Sequence, residues 1–279
     1  MLPWYTDDTK LETVKLIASD MDLTLIADDG SLPPRLTEQI LALDAAGITF
    51  CAASGRPYYT LRAMFAELEG HMAFLADNGA AIYDRKTPVF QNLIDRETYR
   101  RLLQFTKQDG RGCPCVCGIN ACYIPRTYQH FDDYFRSFYS VIDYRDNLDE
   151  LDEAVDKYTV FFPEFDSEEI YASCYGPAFN HEFSVTNAGK QWIDIMNQGV
   201  NKGSALTMLS ARLGISLDDC IAAGDTYNDI QMLELAGHAY VVSNAEPHMD
   251  AHGTHRIPSN NDYGVAEVLD AILQAQTNR

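Results

Sequence analysis

Short apolar runs rich in β-branched and small residues recur along the chain, and several are followed by a segment whose apolar positions fall three and four apart. Residues 14–19 (VKLIAS) predict a buried strand leading into Asp20, and residues 36–46 predict a helix that Gly47 stops. Residues 48–53 (ITFCAA) predict a second strand, 54–57 a turn and 58–68 a second amphipathic helix. Residues 72–76 and 80–83 read as strands joined in a hairpin through Asn78-Gly79. From 84 to 196 the pattern changes to a Tyr-, Phe- and acid-rich segment, with a helix over 95–108 and strands near 121–125, 158–162 and 191–196. The alternation then resumes: a helix over 202–213 before Gly214, a strand over 220–223, a helix over 229–236, a strand over 239–242 and a last helix over 265–274. Strand and helix in alternation predict an α/β fold, a doubly wound, Rossmann-like parallel sheet. Its halves, 1–83 and 197–279, are separated by an inserted α+β domain, 84–196.

Composition narrows the function classes. With 279 residues, 46% of them hydrophobic, the chain can bury a large core. Its 21 Lys and Arg stand against 41 Asp and Glu, and a net charge of -20 repels a phosphate backbone, which disfavours a nucleic-acid partner. No apolar run is long enough to span a membrane and the first residues lack a secretory pattern, so a cytoplasmic location is expected, as a monomer or a homodimer. Seven cysteines, an odd number, fit reduced thiols. Cys113, Cys115, Cys117 and Cys122 alternate as a strand does and lack a C-x-x-C knuckle, so strand packing is favoured over a zinc site.

The acidic balance also repels a free phosphate ester, so phosphate chemistry here requires a metal ion or a placed lysine. Asp20 and Asp22 lie at the carboxyl end of the first strand, where doubly wound sheets hold their ligands, and residues two apart leave a strand on the same side. Two carboxylates with Thr24 close behind suit Mg²⁺, whose ligands are hard oxygens. A lone D-x-D is more commonly an acidic surface loop. The second strand, however, ends in Ser54-Gly55-Arg56-Pro57, whose hydroxyl and N–H groups suit phosphate oxygens at a helix start. Lys202 opens the helix after the insertion, where its charge opposes the dipole unless an anion faces it. Gly224-Asp225-Thr226-Tyr227-Asn228-Asp229 closes another strand and adds further carboxylates.

In this order, Asp20-Met21-Asp22-Leu23-Thr24, Ser54, Lys202 and Gly224-Asp225-x-x-Asn228-Asp229 resemble the haloacid dehalogenase superfamily, and specifically its Cof-like phosphatase branch. Asn78-Gly79-Ala80, Asn244-Ala245 and Tyr263-Gly264-Val265-Ala266 fit that branch, whose members carry a large cap at the place of the insertion. Leu23 stands where many members have glycine. The resemblance implies a Mg²⁺-dependent phosphatase of small phosphorylated metabolites: sugar phosphates, nucleotides or cofactor phosphates. It casts Asp20 as nucleophile and metal ligand, and Asp22 as acid/base with its main-chain carbonyl on the metal. Asp225 becomes the second carboxylate ligand, and Asp229 a partner behind the ligands. Lys202 acts as a catalytic cation, and Thr24, Ser54, Gly55 and Asn228 as phosphate-binding groups. Arg56 and Lys190 either assist or serve the structure. An acid/base at Asp22 argues against a dehalogenase, and the lack of membrane helices against an ion pump. A phosphomutase or a non-catalytic sensing module stays open. Substrate choice is expected in the cap, with Tyr123, Arg126, Tyr128, His130 and His181 as candidates.

Overall fold

A computed structural model describes residues 2–164 and 166–277. In chain order, β1 (Leu16–Asp20), α1 (Leu36–Ala45), β2 (Thr49–Ala53), α2 (Tyr58–Met64), β3 (Ala73–Ala76), β4 (Ala81–Asp84) and β5 (Thr87–Gln91) form the first part. Next come α3 (Arg96–Asp109), β6 (Cys113–Gly118), β7 (Cys122–Pro125), the one-turn α4 (Asp132–Phe135), β8 (Ile142–Arg145) and β9 (Val155–Phe161). Two further single turns, α5 (Ser167–Ile170) and α6 (Gly176–Phe179), precede β10 (Phe183–Asn187) and β11 (Trp192–Asn197). The chain ends with α7 (Lys202–Leu213), β12 (Cys220–Gly224), α8 (Ile230–Leu235), β13 (His238–Val242), β14 (His255–Ile257) and α9 (Gly264–Thr277).

Eight strands make one sheet in the order β14-β13-β12-β1-β2-β3-β4-β5, parallel from β14 to β3 and antiparallel beyond. Every residue of β1, β2 and β12 is buried, as expected of central parallel strands covered on both faces. Period-two alternation divides the core. Ile17 and Phe50 pack with α1, α2 and α9 on one face, while Leu16, Ala18 and Cys51 pack with α7 and α8 on the other. The order reverses beside β1, so the carboxyl ends of β1, β2 and β12 open a crevice at the switch point.

The other six strands form a second sheet, β10-β11-β9-β6-β7-β8, inserted between β5 and β12. The sequence pattern placed the change at residue 84, but β5 still pairs with β4 in the first sheet, so the crossing falls between Gln91 and Arg96. Helix α3 begins at Asp95, whose side chain accepts the Thr98 N–H at 2.9 Å, and buries Tyr99, Leu102, Leu103 and Thr106 at spacings of three and four. One face of this sheet carries Val116, Val160, Ile193 and Ile195 against that helix. The opposite face carries Cys113, Cys115, Cys117 and Cys122 among Phe135, Phe161 and Trp192, so the thiols pack as strand residues.

Several elements differ from the pattern-based expectation. α2 stops at Met64, four residues short, and β5, β8, β10 and β14 were not anticipated. β8 and β14 are edge strands of three or four half-buried residues, too short to display a period.

Candidate active site

Asp20 ends β1 and is nearly sealed from solvent. Beside it Lys202, with no exposed surface, projects from the first turn of α7, a helix start fixed by Asn201 accepting the Ser204 N–H at 2.8 Å. The Lys202 Nζ donates to Asp20 Oδ1 and, at 2.7 Å, to Asp229 Oδ1. Asp229 turns back over the end of β12, accepting the N–H groups of Asp225 at 3.0 Å and Thr226 at 3.2 Å. Gly224 permits this, because a Cβ there would lie 2.5 Å from the Asp229 side chain. Thr24 donates to Asp225 Oδ1 at 3.2 Å. Asp20, Asp225 and Asp229 bring carboxylate oxygens within 4.8 Å of one another, the one such group of possible metal ligands among the described residues.

Three carboxylates in so small a dry volume change their acidity. Burial, then the charges of Asp229 and Asp225, pushes Asp20 well above the ordinary carboxylate range against the pull of Lys202. Burial and Asp229 raise Asp225 from 3.8 to about 7. Burial works to lower the Lys202 ammonium, but Asp20 and Asp229 outweigh it and raise it above its ordinary value.

The Asp22 carboxylate does not belong to that cluster. It lines the cleft between the two sheets, as Asp20 does, 47% exposed, and Arg56 grips both its oxygens at 2.7 and 3.0 Å. Arg56 also donates to the Ser137 carbonyl and lies over the Phe138 ring, so it fastens the inserted domain to Asp22. Of the expected phosphate-binding groups, Gly55 and Asn228 line the cleft; the Ser54 hydroxyl lies behind it, accepting the Arg56 N–H at 3.0 Å. The Gly55 carbonyl is taken by Lys157.

A cleft of about 240 Å³ separates the two sheets over Asp20. Its far wall comes from Phe138, Tyr139, Lys157, Thr159, Trp192 and Asp194. Lys157 and Thr159 on β9, and Trp192 and Asp194 on β11, share one face by period two. These residues replace the expected ones. Tyr123 is buried in the opposite core, Arg126 pairs with Asp146 at 2.9 Å, and the Tyr128 and His130 rings stack loosely 6.3 Å apart. His181 faces a separate hollow with Tyr171 and Asn180, and Lys190 is exposed and does not itself line the cleft, although its neighbour Gly189 does. Sequence reasoning also missed Asp77 and Asn78 as site groups. The signal was present: Asp156-Lys157 interrupts an apolar run, and a buried lysine needs partners. Lys157 finds Asp77 at 3.1 Å and Asp194 at 3.7 Å.

Comparison with known proteins identifies the family. The haloacid dehalogenase-like hydrolase model matches residues 17–269. The chain is 29% identical over 267 residues to the Escherichia coli 5-amino-6-(5-phospho-D-ribitylamino)uracil phosphatase YbjI, covering 94% of this chain and 97% of that protein. It is 25% identical to Bacillus subtilis YwtE, which bears the same enzyme name, over 94% and 99%. A Streptococcus mutans crystal structure shares the fold with a TM-score of 0.86 at 28% identity, over 94% of this chain and 99% of that one. No helix among the described residues is long and apolar enough to cross a membrane. With the matched region running from β1 through α9 and enclosing the whole aspartate cluster, the chain belongs to the haloacid dehalogenase-like hydrolase family and is a phosphatase within it.

Proposed function

We propose that the chain hydrolyses phosphate monoesters of small metabolites through an aspartyl-phosphate on Asp20, with Mg²⁺ as its metal. The observation that carries this is the buried group Asp20, Asp225 and Asp229 around a single ammonium, Lys202. Three carboxylates against one cation leave a deficit of positive charge in a dry site, and hard oxygen donors in that number suit Mg²⁺. Asp20 and Asp225 would hold it, with the main-chain carbonyl of Asp22. Asp229, engaged by Lys202 and two N–H groups, orients those ligands. When bound, Mg²⁺ supplies positive charge to the phosphoryl oxygens.

Asp20 attacks phosphorus in line, forming an O–P bond as the bond from phosphorus to the leaving oxygen breaks. Asp22 delivers a proton to that oxygen. In the second step Asp22 takes a proton from water, whose oxygen attacks phosphorus, releasing inorganic phosphate and returning the Asp20 carboxylate. Lys202 fixes Asp20 through one oxygen, leaving the other for attack. Thr24 orients Asp225, while the Gly55 loop and Asn228 border the space for the phosphoryl group. Through Arg56, the position of the inserted domain and the position of Asp22 are linked. In this reading the first sheet with its helices, up to Gln91 and from Lys202 onward, forms the catalytic unit, and the inserted domain from Arg96 to Asn197 the unit that selects the leaving group.

The test is phosphate release from p-nitrophenyl phosphate and from a panel of sugar phosphates, nucleotides, flavin mononucleotide and pyridoxal phosphate. Release requires Mg²⁺, stops in EDTA and falls by roughly 10⁴-fold or more in Asp20→Asn, because the covalent route is removed. Undiminished release in that variant would falsify the assignment.

A further inference from the structure

The turn between β3 and β4 holds three successive residues in the left-handed region: Asp77 at φ +49°, Asn78 at +53° and Gly79 at +98°. Two of them are not glycine, and both are buried, so the surrounding contacts must hold the backbone there. Those contacts reach every segment that carries a reacting group. The Asn78 and Asp77 N–H groups donate to the carbonyls of Ser54 at 2.9 Å and Arg56 at 3.0 Å, on either side of Gly55. Gly79 lies against the carbonyl of Asn201, the residue before Lys202. The Asn78 Oδ1 accepts from Asn228 at 3.1 Å, in the loop that bears Asp225 and Asp229.

The inserted domain holds the same turn from above. Asn78 Nδ2 donates to Asp194 on β11 at 2.8 Å, and the Lys157 ammonium on β9 pairs with Asp77 at 3.1 Å and Asp194 at 3.7 Å. That ammonium also donates to the Gly55 carbonyl. The Gly55–Arg56 peptide unit is thereby fixed at both ends, its carbonyl on Lys157 and its N–H on the Ser54 hydroxyl. With two carboxylates and a carbonyl around it and 2% of its surface exposed, Lys157 has its charge answered within the protein and little of it to offer a ligand. Its removal would leave Asp77 and Asp194 buried and repelling each other, and would free the peptide unit to rotate.

Resting on the phosphatase reading above, we propose that the turn 77–79 is the relay through which the inserted domain aligns the reacting groups, and that Lys157 is a positioning residue acting through that turn and the Gly55 carbonyl. It touches neither phosphate nor metal; its effect is on the alignment that in-line attack requires. Asn78→Gly tests the relay apart from the ion group. Glycine accepts the left-handed backbone without strain, so that variant removes only the side-chain bonds to Asp194 and Asn228.

The test follows p-nitrophenyl phosphate hydrolysis with Mg²⁺ in the parent, Lys157→Met, Asn78→Gly and the double variant, each below its melting range and with a native circular dichroism spectrum. Lys157→Met lowers kcat by about 10²-fold and Asn78→Gly by about tenfold or more. KM and the inhibition constant of inorganic phosphate stay within about threefold of the parent, because ground-state contacts survive while alignment is lost. The double variant falls no more than about threefold below Lys157→Met, since both changes act through one turn. A purely structural lysine would lower Tm and leave kcat of the folded protein alone. A kcat within about threefold of the parent in either folded variant, a raised KM with kcat unchanged, or losses that multiply fully in the double variant would each overturn the proposal. Failure of the phosphatase reading would show separately, as release undiminished in Asp20→Asn; with that release abolished and both variants at the parental kcat, this proposal alone fails.

Discussion

Replacing Lys202 by methionine tests the electrostatic logic of the site directly. The side chain has no exposed surface and serves two carboxylates, Asp20 and Asp229. Methionine fills much of the same volume, so the loss is of charge more than of packing. Removing one partner from a buried ion pair costs about 3–5 kcal/mol, because the remaining charge is left in a medium that solvates it poorly. For a chain of this size each kcal/mol moves Tm by roughly 2–4 °C, so Lys202→Met in EDTA should melt about 6–20 °C below the parent. With Mg²⁺ held by the same carboxylates, as proposed above, adding it should restore more stability to the variant than to the parent. Activity should fall by about 10²–10³-fold even with saturating Mg²⁺, as when one fixed charge-stabilising donor is removed. Differential scanning calorimetry at pH 7, with and without Mg²⁺, gives the first two quantities, and phosphate release the third. A metal-free Tm within about 2 °C of the parent would refute the reasoning, since it would mean that the carboxylates tolerate burial without the cation.

Other perturbations follow from the same structure. Asp225 carries a folded-state pKa of about 7 against an ordinary 3.8, so between those values the folded chain holds a proton that the unfolded chain has lost. Metal-free stability should therefore fall as pH rises from about 4 to 7. The gain in Tm on adding Mg²⁺ should be larger at pH 8 than at pH 5; the opposite trend, or the same slope in Asp225→Asn, would contradict the assignment. Asp8 is held well below its ordinary pKa: partial burial opposes this, but hydrogen bonds with His238 at 2.6 Å and Tyr240 at 2.7 Å prevail. Asp8→Ala should cost about 1.5–3 kcal/mol above pH 5 in urea melts, with the difference from the parent shrinking as pH falls below about 4, where the unfolded parent takes up a proton that the folded parent does not. Gly79, at φ +98°, leaves no room for a Cβ, which would meet the carbonyl of Asn201, the N-cap of α7, at 2.5 Å. Gly79→Ala should lose roughly 2 kcal/mol or more and lower activity as Lys202 shifts; a neutral effect by urea melt would show that the α7 start is more plastic than its contacts suggest.

How much of this was legible beforehand depended on whether the information was local. Asp20, Thr24, Lys202, Asp225 and Asp229 each sit at an element boundary marked by its own short pattern, and parallel topology sends those boundaries to one edge of the sheet. Once the strand-helix alternation was recognised, their convergence followed without knowledge of side-chain contacts. The hydrogen bonds between them were not available from the pattern. Asp22 shows the limit: residues two apart leave a strand on one side, but the chain is already turning at Met21, whose carbonyl accepts the Leu25 and Ile26 N–H groups at 3.0 and 2.8 Å. The period of the strand had ended, and the Asp22 carboxylate went to Arg56 in place of the aspartate cluster.

The inserted domain was less legible for a related reason. Four of the residues that face the cleft from it, Lys157, Thr159, Trp192 and Asp194, belong to two antiparallel strands whose register pairs Asp194 with Thr159 and Ile193 with Val160. Such pairing joins positions 35 and 33 apart in sequence, and nothing in either segment alone identifies which face will meet the first sheet. Guesses based on residue type therefore favoured tyrosines and histidines with functional side chains, and these proved to pack elsewhere. The informative feature was one of conflict. An Asp-Lys pair inside the apolar run of β9 and an aspartate inside β11 are costly unless they find each other, and both Lys157 and Asp194 are fully engaged. A buried charge within an apolar strand is thus a better marker of the domain interface than an exposed aromatic, because burial forces it to seek a partner across the chain.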